Sequence, residues 1–160
     1  MADEKSVTLY IIQGFIGAGK STFSRKLASE TGAVHLNPDE CVARFYDKNE
    51  YMQNWDKCFE ETVNRLWQKT KEYLQTGKSV IFDMGFWQKK DRDFARRIAG
   101  ERKSQLKHIY LYVPDELLKK RIIESRPQEW AERHLQNFEK NKRLFEEPQE
   151  SENAIKINNF

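Results

Sequence analysis

The stretch from Val7 to Leu27 constrains this chain more than any other. A β-branched, apolar run ending at Ile12 leads into Gly14-Phe15-Ile16-Gly17-Ala18-Gly19-Lys20-Ser21-Thr22, and helix-forming residues follow. Gly14, Gly19, Lys20 and Ser21 satisfy the pattern G-x-x-x-x-G-K-[ST], in the strand–loop–helix context that a phosphate-binding loop requires. Each residue type has a reason. The glycines open backbone angles closed to other residues, so consecutive N–H groups can turn inward onto phosphate oxygens. The helix that follows aims its positive end at the same anion. Lys20 carries a mobile charge toward β- and γ-phosphates, and the Ser21 hydroxyl suits Mg²⁺.

The rest of the chain alternates between strand and helix signals. Short apolar runs at Ala33–Asn37, Ser79–Asp83, His108–Val113 and Ala154–Asn158 predict four more strands after the first. Between them, Phe59, Val63, Leu66, Trp67, Thr70, Tyr73 and Leu74 recur at helical spacing, as do Phe94, Ala95, Ile98 and Ala99. A helix starting near Asp39 and another capped by Asp115 are expected, with a polar loop over Asp47–Gln53. A charged helical stretch lies beyond Arg126-Pro127. Strands separated by helices predict an α/β fold with a parallel sheet, because parallel pairing needs long crossovers.

With 160 residues, the chain fits a single domain over 1–160 with a substantial core. Met1–Ser6 is polar, and no apolar run is long enough to cross a bilayer, so a cytoplasmic protein is expected. Cys41 and Cys58 lack metal-ligand spacing and read as free thiols, and His35, His108 and His134 read as structural. The net charge of +3 is too small to argue for nucleic acid by itself. The cation-rich segment Gln88–His108 lacks interleaved aromatics and reads as a solvent face.

In an open α/β sheet, ligands bind outside the carboxyl ends of the strands. That rule gathers the loop Gly14–Thr22, Asp39 after the second strand and Asp83 at the end of the third. Phosphoryl transfer needs such a set: a phosphate cradle, a carboxylate on the magnesium side, and a carboxylate that deprotonates the acceptor hydroxyl. Asp39 is the candidate base. Asp83 is a candidate for holding water on Mg²⁺ or positioning the acceptor, and Ser21 for the ion itself. Positive charge closing over the phosphoryl group is expected from a lid over about 119–135, with Arg121 and Arg126 flanking the helix break at Pro127. Trp87 is a candidate flat wall for a ring-shaped acceptor, with core packing as the other reading.

The loop Gly14–Thr22, the turn Asn37-Pro38-Asp39, the strand end Phe82–Trp87, the helix start Val113-Pro114 to Arg121 and the tail Phe145–Pro148 together resemble the P-loop kinases of the AAA-like ATP-binding group. That group includes the kinase domain of phage polynucleotide kinase, chloramphenicol phosphotransferase and zeta toxins. The resemblance implies a three-layer α/β/α sandwich with strand order 2-3-1-4-5 and a small helical lid. It implies ATP and Mg²⁺ on Lys20 and Ser21, Asp39 as base toward an acceptor hydroxyl, and Arg121 and Arg126 on phosphates. Polynucleotide kinase carries an arginine three residues after its base; this chain has Val42 there and Arg44 beyond it. The expected activity is transfer of the γ-phosphate of ATP to a hydroxyl of a small molecule. The alternatives are a nucleotide-binding switch without an acceptor and a 5′-hydroxyl kinase on nucleic acid ends.

Overall fold

The structure is a computed structural model that describes residues 6–160, so most of the polar amino-terminal reading lies outside it. Its first strand, β1 (Thr8–Gly14), feeds through the glycine loop into α1 (Lys20–Thr31). Then come β2 (Val34–Leu36), α2 (Pro38–Phe45), α3 (Lys48–Gln53), α4 (Trp55–Gln75), β3 (Val80–Gly85) and α5 (Lys89–Glu101). β4 (Gln105–Tyr112), α6 (Asp115–Ser125), α7 (Gln128–Gln136), α8 (Phe138–Leu144) and β5 (Ile155–Asn158) complete the chain. The five strands form one sheet in the order β2-β3-β1-β4-β5, all pairs parallel, as expected.

Four boundaries differ from the sequence expectation. Part of the polar stretch at 47–53 is the short helix α3, held by backbone bonds such as Tyr51 N–H to Asp47 O rather than by an apolar stripe. β4 starts three residues early, because Gln105 N–H already donates to Val7 O. Pro114, not Asp115, takes the cap position of α6, leaving Asp115 in its first turn. The charged stretch after Pro127 is two helices, parted at Asn137.

Alternation along the strands assigns residues to the two faces of the sheet. Leu9, Ile11, Val80 and Phe82 point to one layer with Trp67, Leu74 and Ile98 from α4 and α5. Ile12, Ile81, Ile109 and Leu111 point to the other, with Ala18, Leu118 and Ile122 from the loop and α6. Among the described residues, no helix is long and apolar enough to cross a membrane.

The first core layer ends in a buried polar network. Arg92 is fully buried and grips Glu152 through Nε–Oε1 at 2.7 Å and Nη2–Oε2 at 3.0 Å. Its Nη1 donates to the carbonyls of Phe86, Trp87 and Glu146 at 3.1, 3.4 and 3.1 Å. Beside it, Gln13 donates to Glu146 O at 2.8 Å and pairs with His108 Nε2 at 2.7 Å. The segment Gln88–His108 is therefore only partly a solvent face. Its Lys89 and Arg96 share Asp93 on the surface, but Arg92 is core.

Removing one partner of a buried ion pair leaves an uncompensated charge, so Glu152→Ala should cost about 3–5 kcal/mol in urea unfolding, whereas Arg92→Met with Glu152→Leu should cost less. Burial, then the nearby guanidinium groups, lower the His108 imidazole from 6.5 to about 4, and its Nδ1 has no acceptor for a second proton. Between those values the unfolded chain binds more protons than the folded one, so stability should fall as pH drops from 6.5 toward 4. Burial alone would raise the Glu152 carboxyl, but hydrogen bonds from Arg92 and Gln149 hold it at about 2 instead of 4.5. It extends the loss below pH 4.5. Urea midpoints across this range should decline more gently at the upper end for His108→Asn.

Candidate active site

The loop after β1 is built by two left-handed residues. Gly17 has φ +86° and Gly19 φ +87°, and Ala18 N–H donates back to Phe15 O at 3.0 Å. Both positions favour glycine by their positive φ, and both are tightly approached. A Cβ on Gly17 would stand 3.1 Å from Leu118 O of α6, and one on Gly19 2.7 Å from Asn159 Nδ2. Lys20 Nζ bridges the loop to Phe15 O at 3.0 Å. Burial lowers its pKa, while Asp83 and Asp39 pull it back up.

The sheet then delivers the carboxylates. Parallel pairing sets Leu36 beside Phe82, so the next residues, Asn37 and Asp83, emerge side by side. Asn37 Nδ2 donates to both Ser21 Oγ and Asp83 Oδ2, each at 3.2 Å. His35 Nε2 lies 3.1 Å from the same Oδ2. Asp83 is buried, and its carboxylate is thereby aimed at the hydroxyl end of the loop. Mg²⁺ on phosphates takes one or two protein oxygens and fills its shell from phosphate and water. Ser21 Oγ and Asp83, tied to one amide nitrogen, fit that need. Among the described residues, no group of three His, Cys, Asp or Glu stands ready as an all-protein cage.

The cap of α2 is Asn37, whose Oδ1 accepts from Glu40 N–H at 3.1 Å, with Pro38 opening the helix. Capping is thus done without Asp39, which opens onto the cleft near Lys20. Burial raises the Asp39 carboxyl above 3.8, against the downward pull of Lys20, with Asp83 pushing further up and Arg126 down. Glu40 instead meets Arg25 on the surface at 2.8 Å. Val42 is core and Arg44 is exposed, so α2 presents no cation to the cleft.

The cleft encloses about 1650 Å³ and brings together the loop, Asp39, Asp83, Arg121 and Arg126. Arg126 sits in the break between α6 and α7, bonded to Ser125 Oγ and facing Asp39. Arg121 lines the cleft too, but its Nη2 donates to Asn159 O at 2.7 Å, while Asn159 Nδ2 donates to Ala18 O at 2.7 Å. The carboxyl-terminal residues therefore flank the loop, which no motif announced. Trp87 combines both readings: it stacks on Phe15 at 5.0 Å and 18°, donates to Gly14 O at 3.3 Å, and still lines the cleft. His35, read from the sequence as structural, stands against Asp83 of the cleft, and the linking role of Asn37 had no motif to announce it. Their signal was the two-residue period of β2, which puts both on the face toward Asp83.

The profile of a family described as AAA domain matches residues 9–148. The chain belongs to that family. No curated protein matches the sequence. Among solved structures, a sugar kinase from Janibacter sp. HTCC2649 is 19% identical, with 95% of this chain and 85% of that chain covered and a TM-score of 0.68. Kti12 of Chaetomium thermophilum, in complex with ADP-AlF3, is 18% identical over 94% and 88% of the two chains, with a TM-score of 0.65. The Mycobacterium tuberculosis APS kinase CysC, in complex with AMPPNP and APS, is 15% identical over 94% and 88%, with a TM-score of 0.62. At these identities the likeness establishes the fold, that of the P-loop kinases.

Asn37→Ala should both uncap α2, costing about 1 kcal/mol, and free the Ser21 and Asp83 oxygens from each other. The expected outcome is weaker nucleotide binding with Mg²⁺ than in the parent and little change when EDTA replaces the ion, read by calorimetry.

Proposed function

We propose that the protein is a phosphotransferase that moves the γ-phosphate of ATP to a hydroxyl of a small molecule. The observation that carries this reading is Asp39, which is spared from capping α2 and faces Lys20 and Arg126 across the cleft. A nucleotide switch has no use for a carboxylate in that place. The small-molecule acceptor draws support from the neighbours named as a sugar kinase and an APS kinase.

In this mechanism the loop amides and Lys20 hold the triphosphate. Asp39 accepts the acceptor's hydroxyl proton as the oxygen attacks the γ-phosphorus, and the bond to the β-phosphate oxygen breaks to release ADP. Arg126 neutralises charge spreading over the transferred group. Arg121, held by Asn159 O, lines the cleft beside the loop. Ser21 and Asp83 would hold Mg²⁺, which would supply charge neutralisation to the phosphates. The burial that raises the Asp39 pKa makes it a stronger base than an ordinary carboxylate, while Lys20 and Arg126 limit that rise.

Asp39→Asn should keep ATP affinity and lower transfer by about 10²–10⁴-fold. Labelled ATP, incubated with a metabolite extract, reports transfer, and calorimetry reports affinity. Parallel loss of both would refute the base assignment.

A further inference from the structure

A second pocket of about 300 Å³ opens between α4, the end of β3 and the start of α5. It shares Phe59, Met84 and Trp87 with the main cleft, so the two adjoin. Aromatic rings make much of its wall, beside Val63 and Met84: Phe59, Trp87 and Phe94 are half-buried, whereas Trp67 and Phe86 are core residues at its base, with Phe94 set edge-on to Trp67 at 5.0 Å. Its polar lining is acidic. Glu60 and Asp91 border it together with Asn64, and no lysine, arginine or histidine does.

Those two carboxylates lack the close ion pairs that their neighbours make. Most acids on neighbouring turns hold a cation: Glu61 is near Lys57, Glu72 near Lys69, and Asp93 takes both Lys89 and Arg96. Among the described residues, neither Glu60 nor Asp91 has a side-chain ion pair. Asp91 is half-buried beside the aromatic rings, and that burial raises its carboxyl above 3.8, against the pull of Lys90 and Arg92 and with Glu146 adding to the rise. A carboxylate in such surroundings gains most from a cation brought next to it.

Aromatic faces attract cations through their quadrupoles, by about 0.5–2 kcal/mol each depending on desolvation. Aromatic rings bordered by two carboxylates without ion pairs favour a positively charged group, even with Arg97 already over the Phe94 ring at 5.0 Å and with Lys90 and Arg92 near Asp91. We propose that this pocket binds an ammonium group, and that the acceptor is a small amine-bearing alcohol whose cationic end lodges here while its hydroxyl faces Asp39. The second half of that statement rests on the phosphotransferase reading; the pocket's preference for a cation does not.

The test compares choline with its uncharged carbon isostere, dimethylbutanol, and adds ethanolamine as a primary amine. Binding is read by tryptophan fluorescence, since Trp67 and Trp87 line the pocket, and by calorimetry on the full chain with ADP present. At least one cation should bind about 5–30-fold more tightly than the neutral isostere, as one or two cation–π contacts allow. Asp91→Asn and, separately, Glu60→Gln should erode that preference by at least about threefold while ATP affinity and the urea midpoint stay unchanged. Equal binding of the charged and neutral compounds, no binding of either cation, or a preference untouched in both variants overturns the proposal. Cation binding without phosphoryl transfer to any amino alcohol keeps the pocket and rejects its role in the acceptor. Failure of the ATP reaction altogether falls on the phosphotransferase reading and leaves the cation test standing.

Discussion

The parallel register of β2 against β3 is the constraint on which the site depends. β2 is only three residues long, yet its pairs Val34 with Val80, His35 with Ile81 and Leu36 with Phe82 fix where the chain leaves the sheet. One residue of slip would invert every side chain of β2 and turn Asn37 away from Asp83. Because β1 also pairs with β3, the glycine loop emerges at the same edge of the sheet as Asp83. Ser21, Asn37 and Asp83 can then meet although they are far apart in sequence. The buried residues of β2 and β3 thus act at a distance, by setting the positions from which polar residues depart.

The turn after β3 carries a second constraint. Gly85 has φ +95° and Phe86 has φ +48°, and the latter is an unfavourable angle for a side-chain-bearing residue, costing roughly 1–2 kcal/mol. Arg92 offsets that cost by donating to Phe86 O and Trp87 O, and Glu146 N–H donates to Trp87 O at 2.7 Å. The strained turn buries Phe86 in the core while the next residue, Trp87, lies over Phe15 at the mouth of the loop. A buried ion pair is poor evidence of stability in itself, since two charges lose their hydration. Here its geometry couples the tail at 146–152 to the turn that bounds both pockets. Its use is to specify one conformation of that turn.

Much of this was legible in the chain. The loop was written in four residues at fixed spacing, and strand ends located Asp39 and Asp83 through the rule for open sheets. What escaped was set by tertiary contacts. α3 has no apolar period, since Lys48-Asn49-Glu50-Tyr51-Met52-Gln53 remains exposed on most sides. The parting of α7 from α8 falls at Asn137 within a continuous charged run, without proline or glycine to mark it. Arg92 was misread for an instructive reason: it lies three, six and seven residues before Ala95, Ile98 and Ala99, on the same buried stripe, but a charge there reads as surface until its partner Glu152 arrives sixty residues later. Asn159 was invisible because its action on Ala18 is a contact between opposite ends of the chain.

The charges around the cleft are unevenly distributed, and the unevenness has a direction. Arg126, Arg133 and Lys140 face it from the break and the helices α7 and α8, without a carboxylate partner among the described residues. Lys119, Lys120 and Lys142, on the same helical segment, each meet an acid. The α4 side carries Asp56 in the cleft and Glu60 and Asp91 in the adjoining pocket. Low-dielectric walls focus such a field, so a molecule entering between them is turned before it touches either side. On the proposed reading, a cationic acceptor would be drawn toward α4 and away from the lid, with the transferred phosphate against Lys20 and Arg126. Asp39 lines the same cleft from the opening turn of α2. An acceptor of the proposed kind, anchored by its positive end at α4, would have its hydroxyl as the part left to reach Asp39, and the field that orients it would also keep its charge from competing with Lys20 for the phosphate.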